Sequence, residues 1–295
     1  MSEPKDPIVE HCRGIIQQGS RSLFRAASLL PRNLREAGYQ LYAWCRHCDD
    51  LIDGQDLGHP VPMSVRTAEQ RSEAERIADL RAETTRALRG EPCDDLVFQG
   101  LARIVRQRGI PDKHPFEFLD GLAMDVAGQR YRTLDELLDY CYHVAGVVGV
   151  MAGHLMLVDD SATINRLGDL GTTMQLTNIA RDVIDDARVG RVYLPLDWLA
   201  AAGVAPEEVG APGARPQVTA IVHRLLDHAD LRYAAARGRF RNLPLRASWA
   251  IATARAICTD LGRLIRADGE AAWDRRTAVP EWRKYLLLGT SLATR

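Results

Sequence analysis

The chain has 295 residues, 46% of them hydrophobic, and its 38 basic and 39 acidic side chains leave a formal net charge of −1. That length suits one large domain or two modest ones with ample core, and the near-neutral balance excludes a global field that would recruit nucleic acid. The longest apolar run, 144–157, is short, glycine-dotted and contains His154, so it reads as a buried helix and not as a membrane span.

Prolines punctuate long segments of helical periodicity, with hardly any period-two alternation between them. The pattern predicts helices near 19–29, 33–53, 65–89, 94–108, 116–129, 134–158, 161–187, 215–240 and 245–268. Loops rich in Gly, Pro and Ala are expected at 54–64 and 203–216, and Thr133 to Glu136 reads as a capping box. No low-complexity tract and no domain boundary interrupts the pattern. The expectation is a single all-α domain over 1–295, a helical bundle around a central cavity, with 1–18 and 277–295 as peripheral tails. The helix at 134–158 carries Gly146, Gly149 and Gly153 in its interior, which costs about 1 kcal/mol each and points to close helix approach or to room for a ligand.

Cys45 and Cys48 form a C-x-x-C pair beside His47, but no second pair exists and the pair lies inside a helical pattern, so core cysteines are expected. Free thiols, together with an opening Met-Ser-Glu-Pro-Lys-Asp that lacks the marks of a secretory leader, predict a reducing, cytoplasmic setting.

Two segments carry the same arrangement of acids. Residues 42–53 read YAWCRHCDDLID and residues 175–186 read QLTNIARDVIDD. On a helix, Tyr42, Arg46, Asp49 and Asp53 fall within a sector of about 60°, and Gln175, Asn178, Asp182 and Asp186 within about 80°. Two carboxylates about 6 Å apart repel by roughly 3 kcal/mol at an effective dielectric near 20, whereas exposed i,i+4 acids cost a few tenths. The flanks of both stripes are aliphatic (Leu51 and Ile52; Ile179, Ala180, Val183 and Ile184), which disfavours a plain solvated face. If the stripes face one another across a cavity, they require cations. Aspartates without Cys or His partners favour hard ions, Mg²⁺ first, shared with phosphate oxygens. Arg46 and Arg181 are placed to flank a diphosphate, and Ser20, Arg21 and Ser22 add hydroxyl and guanidinium donors. A diphosphate site opening on an apolar cavity points to a prenyl diphosphate, whose allylic tail becomes a carbocation once the metals take the leaving group.

With these stretches, DGLAMDV at 120–126, YCYHVAGVVG at 140–149, GRVYLP at 190–195, WAIATAR at 249–255 and AWDRR at 272–276, the sequence closely resembles the bacterial phytoene synthases of the squalene/phytoene synthase family. The resemblance runs from about residue 19 to 276. It implies an isoprenoid-synthase-type bundle and a prenyltransferase of carotenoid synthesis. The implied reaction is head-to-head condensation of two geranylgeranyl diphosphates to phytoene through prephytoene diphosphate, with Mg²⁺ or Mn²⁺ and without nicotinamide. By the same resemblance Asp49, Asp53, Asp182, Asp186 and Asn178 are metal ligands. Tyr42, Arg46, Gln175 and Arg181 contact substrate, Ser20, Arg21 and Ser22 form a flap over diphosphate, and Tyr140 assists ionisation or proton transfer. Asp50 and Asp185 support their neighbours. Cys258 departs from the tyrosine that many relatives place near the substrate, and Gly19 from a histidine before the flap. Greasy substrates and products suggest a peripheral habit at the inner membrane face, with no anchor in the sequence; no pattern encodes the oligomeric state. The alternatives are a farnesyl-using dehydrosqualene or squalene synthase, a chain-elongating transferase, and a non-catalytic relative acting in assembly. A di-iron bundle lacks its glutamates and Glu-x-x-His.

Overall fold

The computed structural model describes residues 6–57, 59–60, 72–237, 240 and 243–291, without the side chains of residues 21, 22, 59 and 60. The helix expected from residue 65 begins, and the loop expected at 54–64 ends, outside the described residues. The helices are α1 (Pro7–Gly19), α2 (Arg21–Ser28), α3 (Arg32–Asp53), α4 (Glu73–Arg89), α5 (Leu96–Arg108), α6 (Lys113–Val126), α7 (Leu134–Cys141), α8 (Val147–Leu155), α9 (Ser161–Arg188), α10 (Leu196–Ala201), α11 (Arg215–Ala235), α12 (Leu245–Asp268) and α13 (Glu281–Ser291). Among the described residues the only strand pairing is a two-residue bridge, Gln55–Asp56 with His59–Pro60. No described helix is long and apolar enough to cross a membrane.

The chain divides into two compact units, Met1–Val126 with Met151–Asp159, and Ala127–Val150 with Asp160–Arg295. In the first, α1 packs on α3 and α5. The sequence pattern alone did not predict α1, because Gly14 interrupts it and its buried stripe is one residue wide: Ile8, Cys12 and Ile16, which meet Tyr39 and Ala43 of α3. Asp6 caps it, accepting from Ile8 N at 3.0 Å, with Pro7 in the first turn. Trp44 anchors the middle of α3 against Phe118 of α6, ring centroids 5.3 Å apart. Directly after Asp53, Gly54 adopts a left-handed φ of 62° and ends the helix, so the stripe lies in its last turns. Helix α4 starts at a reciprocal capping box between Ser72 and Glu75.

In the second unit α9 is the central element, contacted by α7, α11 and α12. Instead of one helix over 134–158, α7 passes into a π-helical turn at Tyr142–Gly146 before α8. A Cβ on Gly149 would lie 2.3 Å from the Leu167 carbonyl oxygen, and one on Gly171 of α9 would lie 2.4 Å from that of Ala145. Close packing of backbone on backbone accounts for Gly149 and Gly171, while at Gly146 a Cβ would meet the Thr172 hydroxyl at 2.5 Å. At Thr133 the hydroxyl accepts from Glu136 N at 3.3 Å, while the Glu136 carboxylate takes Arg132 N at 2.6 Å, so the expected box closes one residue early. The helix expected over 215–240 ends at Ala235, and Pro206 and Pro212 each start a short 3-10 turn within the 203–216 loop.

Candidate functional site

The last turns of α3 carry Tyr42, Arg46, Asp49 and Asp53. The Tyr42 hydroxyl is buried, and a Cβ on residue 19 would come within 2.8 Å of it, so glycine suits that position. The Arg46 guanidinium stands 6.0 Å from the Tyr42 ring centroid and 3.6 Å from the Asp50 carboxylate. At Asp49, burial first, and then Asp53, Asp50 and Asp125, lift the carboxyl from 3.8 to about 7 against the pull of Arg46. Asp125 comes from α6; its stretch at 120–126 was noticed in the sequence without a role for it. Asp120 in the same stretch pairs with Arg81.

Cys45 and Cys48 on this helix are free thiols, and burial raises both well above their ordinary range. Burial also lowers the His47 imidazole. Cys48 is a core cysteine, as the sequence indicated, and Cys45 is partly buried. Ser20 serves as the N-cap of α2, accepting from Leu23 N at 3.4 Å. The side chains of Arg21 and Ser22 lie outside the described residues.

On α9, Asn178 Nδ2 donates to Gln175 Oε1 at 3.3 Å. One turn on, Asp182 is gripped from two sides. Arg181 donates through Nε to Oδ1 at 2.7 Å and through Nη2 to Oδ2, while Arg276 donates through Nε to Oδ1 at 2.8 Å and through Nη2 to Oδ2 at 3.0 Å. Burial opposes ionisation, but the two guanidiniums prevail and hold the carboxyl below its ordinary value. Arg276 was missed as a site residue: 94 positions separate it from Asp182, and only its place in AWDRR hinted at a role. A pocket of about 40 Å³ opens beside this pair, lined by Arg188, Arg275, Asp185 and Trp273 among others. Asp185 pairs with Arg188 at 2.7 Å.

Tyr140, on α7, is 3% exposed, stacks on Tyr193 and meets Tyr131 at a tilt, each 5.1 Å away between centroids. Cys258 on α12 faces the Tyr233 phenol, and burial raises its thiol to about 11. Tyr233 in turn shares a hydrogen bond of 2.9 Å with the Thr177 hydroxyl. A phenol from α11 thus adjoins the position where the sequence lacks a tyrosine.

Among the described residues no group of three or more His, Cys, Asp or Glu side chains forms a ready metal cage. Each stripe nevertheless offers donors that suit hard cations. Burial, and then acidic neighbours, raise the Asp49 carboxyl, which a divalent ion would reverse, and Asp182 already holds positive charge in the form of two guanidiniums.

Residues 16–283 match the squalene/phytoene synthase family. The 15-cis-phytoene synthase of a Paracoccus species is 45% identical over 274 residues, 93% of this chain and 87% of the relative. The phytoene synthase of Pseudescherichia vulneris is 40% identical over 98% of this chain and 91% of the relative. A crystal structure of a dehydrosqualene synthase in complex with ligand superposes with a TM-score of 0.83 at 27% identity, covering 97% of this chain and 95% of that one. The chain belongs to the squalene/phytoene synthase family, a family of enzymes, and its fold is the isoprenoid-synthase helical fold. The relatives favour the phytoene synthase reading over the farnesyl-using and non-catalytic alternatives.

Proposed function

We propose that this protein is a divalent-metal-dependent prenyltransferase that condenses two geranylgeranyl diphosphates head to head, through prephytoene diphosphate, to phytoene. The observation that carries this reading is the 40–45% identity to phytoene synthases across more than nine-tenths of the chain, with both acidic stripes intact. The names of close relatives extend it to the 15-cis product.

Asp49 and Asp53 from α3, and Asp182, Asp186 and Asn178 from α9, would hold Mg²⁺ or Mn²⁺. When bound, such an ion neutralises charge on a departing diphosphate. The protein's own groups do the rest. Arg46 and Arg181 bind phosphate oxygens with charge-assisted hydrogen bonds, Gln175 and Tyr42 orient the diphosphate end, and apolar walls keep water from the allylic cation. The Tyr140 hydroxyl, on a ring held between the Tyr131 and Tyr193 rings, assists ionisation or accepts a proton. Ser20, Arg21 and Ser22 lie in the segment proposed to cover the diphosphate. No nicotinamide enters this chemistry, because the C40 product is not reduced. The protein acts in the cytoplasm, at the inner membrane face, where C20 tails and a C40 hydrocarbon partition.

Purified protein given geranylgeranyl diphosphate and Mg²⁺ without NADPH is expected to yield phytoene. Exclusive formation of C30 products from farnesyl diphosphate would overturn the assignment.

A further inference from the structure

The grip on Asp182 has a consequence for how ligands bind. Its side chain is 19% exposed, and both oxygens accept from both Arg181 and Arg276. Arg276 is delivered by a fixed segment: the Trp273 indole donates to Thr219 Oγ1 at 3.0 Å, and Asp274 pairs with Arg215 at 2.9 Å. A hard cation must take carboxylate oxygens as ligands, so it has to displace these donors. A cation arriving alone would strip two guanidiniums of the carboxylate they bond to, leaving Arg276 only the weaker pull of Asp185 and Asp186. A diphosphate arriving alone would have to draw the guanidiniums away from a carboxylate that then has no counterion. Arriving together, the ligands exchange partners with the pair: carboxylate to cation, guanidiniums to phosphate oxygens.

We propose that Arg181 and Arg276 form a latch on Asp182 that makes divalent-cation and diphosphate binding mutually dependent, with Arg276 as the positioning residue that sets the strength of the dependence. This inference rests on the metal-holding role of Asp182 proposed above. Reciprocity requires that whatever diphosphate does for cation affinity, the cation does for diphosphate affinity.

The test is titration of the whole protein with Mn²⁺, read by the electron paramagnetic resonance of free Mn²⁺, with and without inorganic pyrophosphate, and corrected by a protein-free titration. Wild type is expected to bind Mn²⁺ about tenfold more tightly when pyrophosphate is present. Arg276→Gln is expected to bind Mn²⁺ alone about fivefold more tightly than wild type, and to lose most of the pyrophosphate effect. Arg275→Gln removes a neighbouring charge that does not touch Asp182, and its Mn²⁺ affinity should stay within about twofold of wild type. Arg276→Lys keeps the charge but loses the two-pronged bond and should fall between wild type and Arg276→Gln. If Arg276→Gln and Arg275→Gln behave alike while Asp182→Asn abolishes binding, the latch is wrong and the metal role survives. If Asp182→Asn binds Mn²⁺ as wild type does, the metal role itself falls, and the latch with it.

Discussion

In the metal-free protein the Asp49 carboxyl is raised from 3.8 to about 7 by burial and by the carboxylates of Asp53, Asp50 and Asp125. The folded protein thus keeps a proton that the unfolded chain releases. That contribution to stability is full below about pH 4 and is lost as the pH rises through about 7, a loss on the order of 4 kcal/mol at most. Thermal melts of chelated protein should therefore show wild type losing stability, relative to Asp49→Asn, between about pH 4 and pH 8. Parallel curves for the two proteins would refute the raised carboxyl. Removing the proposed ligand oxygens altogether is a separate matter: Asp49→Ala or Asp182→Ala should lower turnover by about a thousandfold or more while the helical circular dichroism is unchanged. The two stripes were legible in the sequence because helical period alone groups i, i+4 and i+7 residues. Asp125 and Arg276 were not, since each reaches its carboxylate from a different helix or segment, and periodicity carries no information across such distances.

Between α8 and α1, glycine has two opposite meanings that a substitution can separate. Gly149→Ala must push a methyl to within 2.3 Å of a backbone carbonyl, and backbone cannot rotate away, so a loss of about 2–3 kcal/mol is expected. Gly14 in α1 has nothing within 4 Å of its missing Cβ, and Gly14→Ala should gain about 0.5–1 kcal/mol from helix propensity. Urea unfolding midpoints of the two variants should shift in opposite directions; a stabilised Gly149→Ala would show that the helices can part there. Most helix boundaries were readable to within a few residues, because prolines and caps punctuate them. The sequence did not reveal α1, α10 or α13, whose buried stripes are too narrow or whose length is too short to produce periodicity. Nor did it reveal the π turn after Tyr140, which depends on one extra residue being accommodated against α9.

For the whole molecule, a net charge of −1 leaves recognition to local groups, and chain length becomes the question that composition cannot answer. The depth of a prenyl-binding cavity is set in general by side chains from many helices at once, so no single motif states it. The phytoene synthase relatives point to C20, and the energetics make a sharp test possible. A C20 tail has one more isoprene unit than a C15 tail, and burying it contributes about 3 kcal/mol if the cavity is deep enough to receive it. Competition between geranylgeranyl and farnesyl diphosphates should then favour the C20 substrate by about a hundredfold in kcat/KM. The preference should disappear from the product analysis only when turnover itself stops, as EDTA is expected to make it do, and it should return unchanged when Mg²⁺ or Mn²⁺ is restored. Equal turnover of both substrates would mean that the extra unit stays in water, and that the cavity is built for the shorter chain.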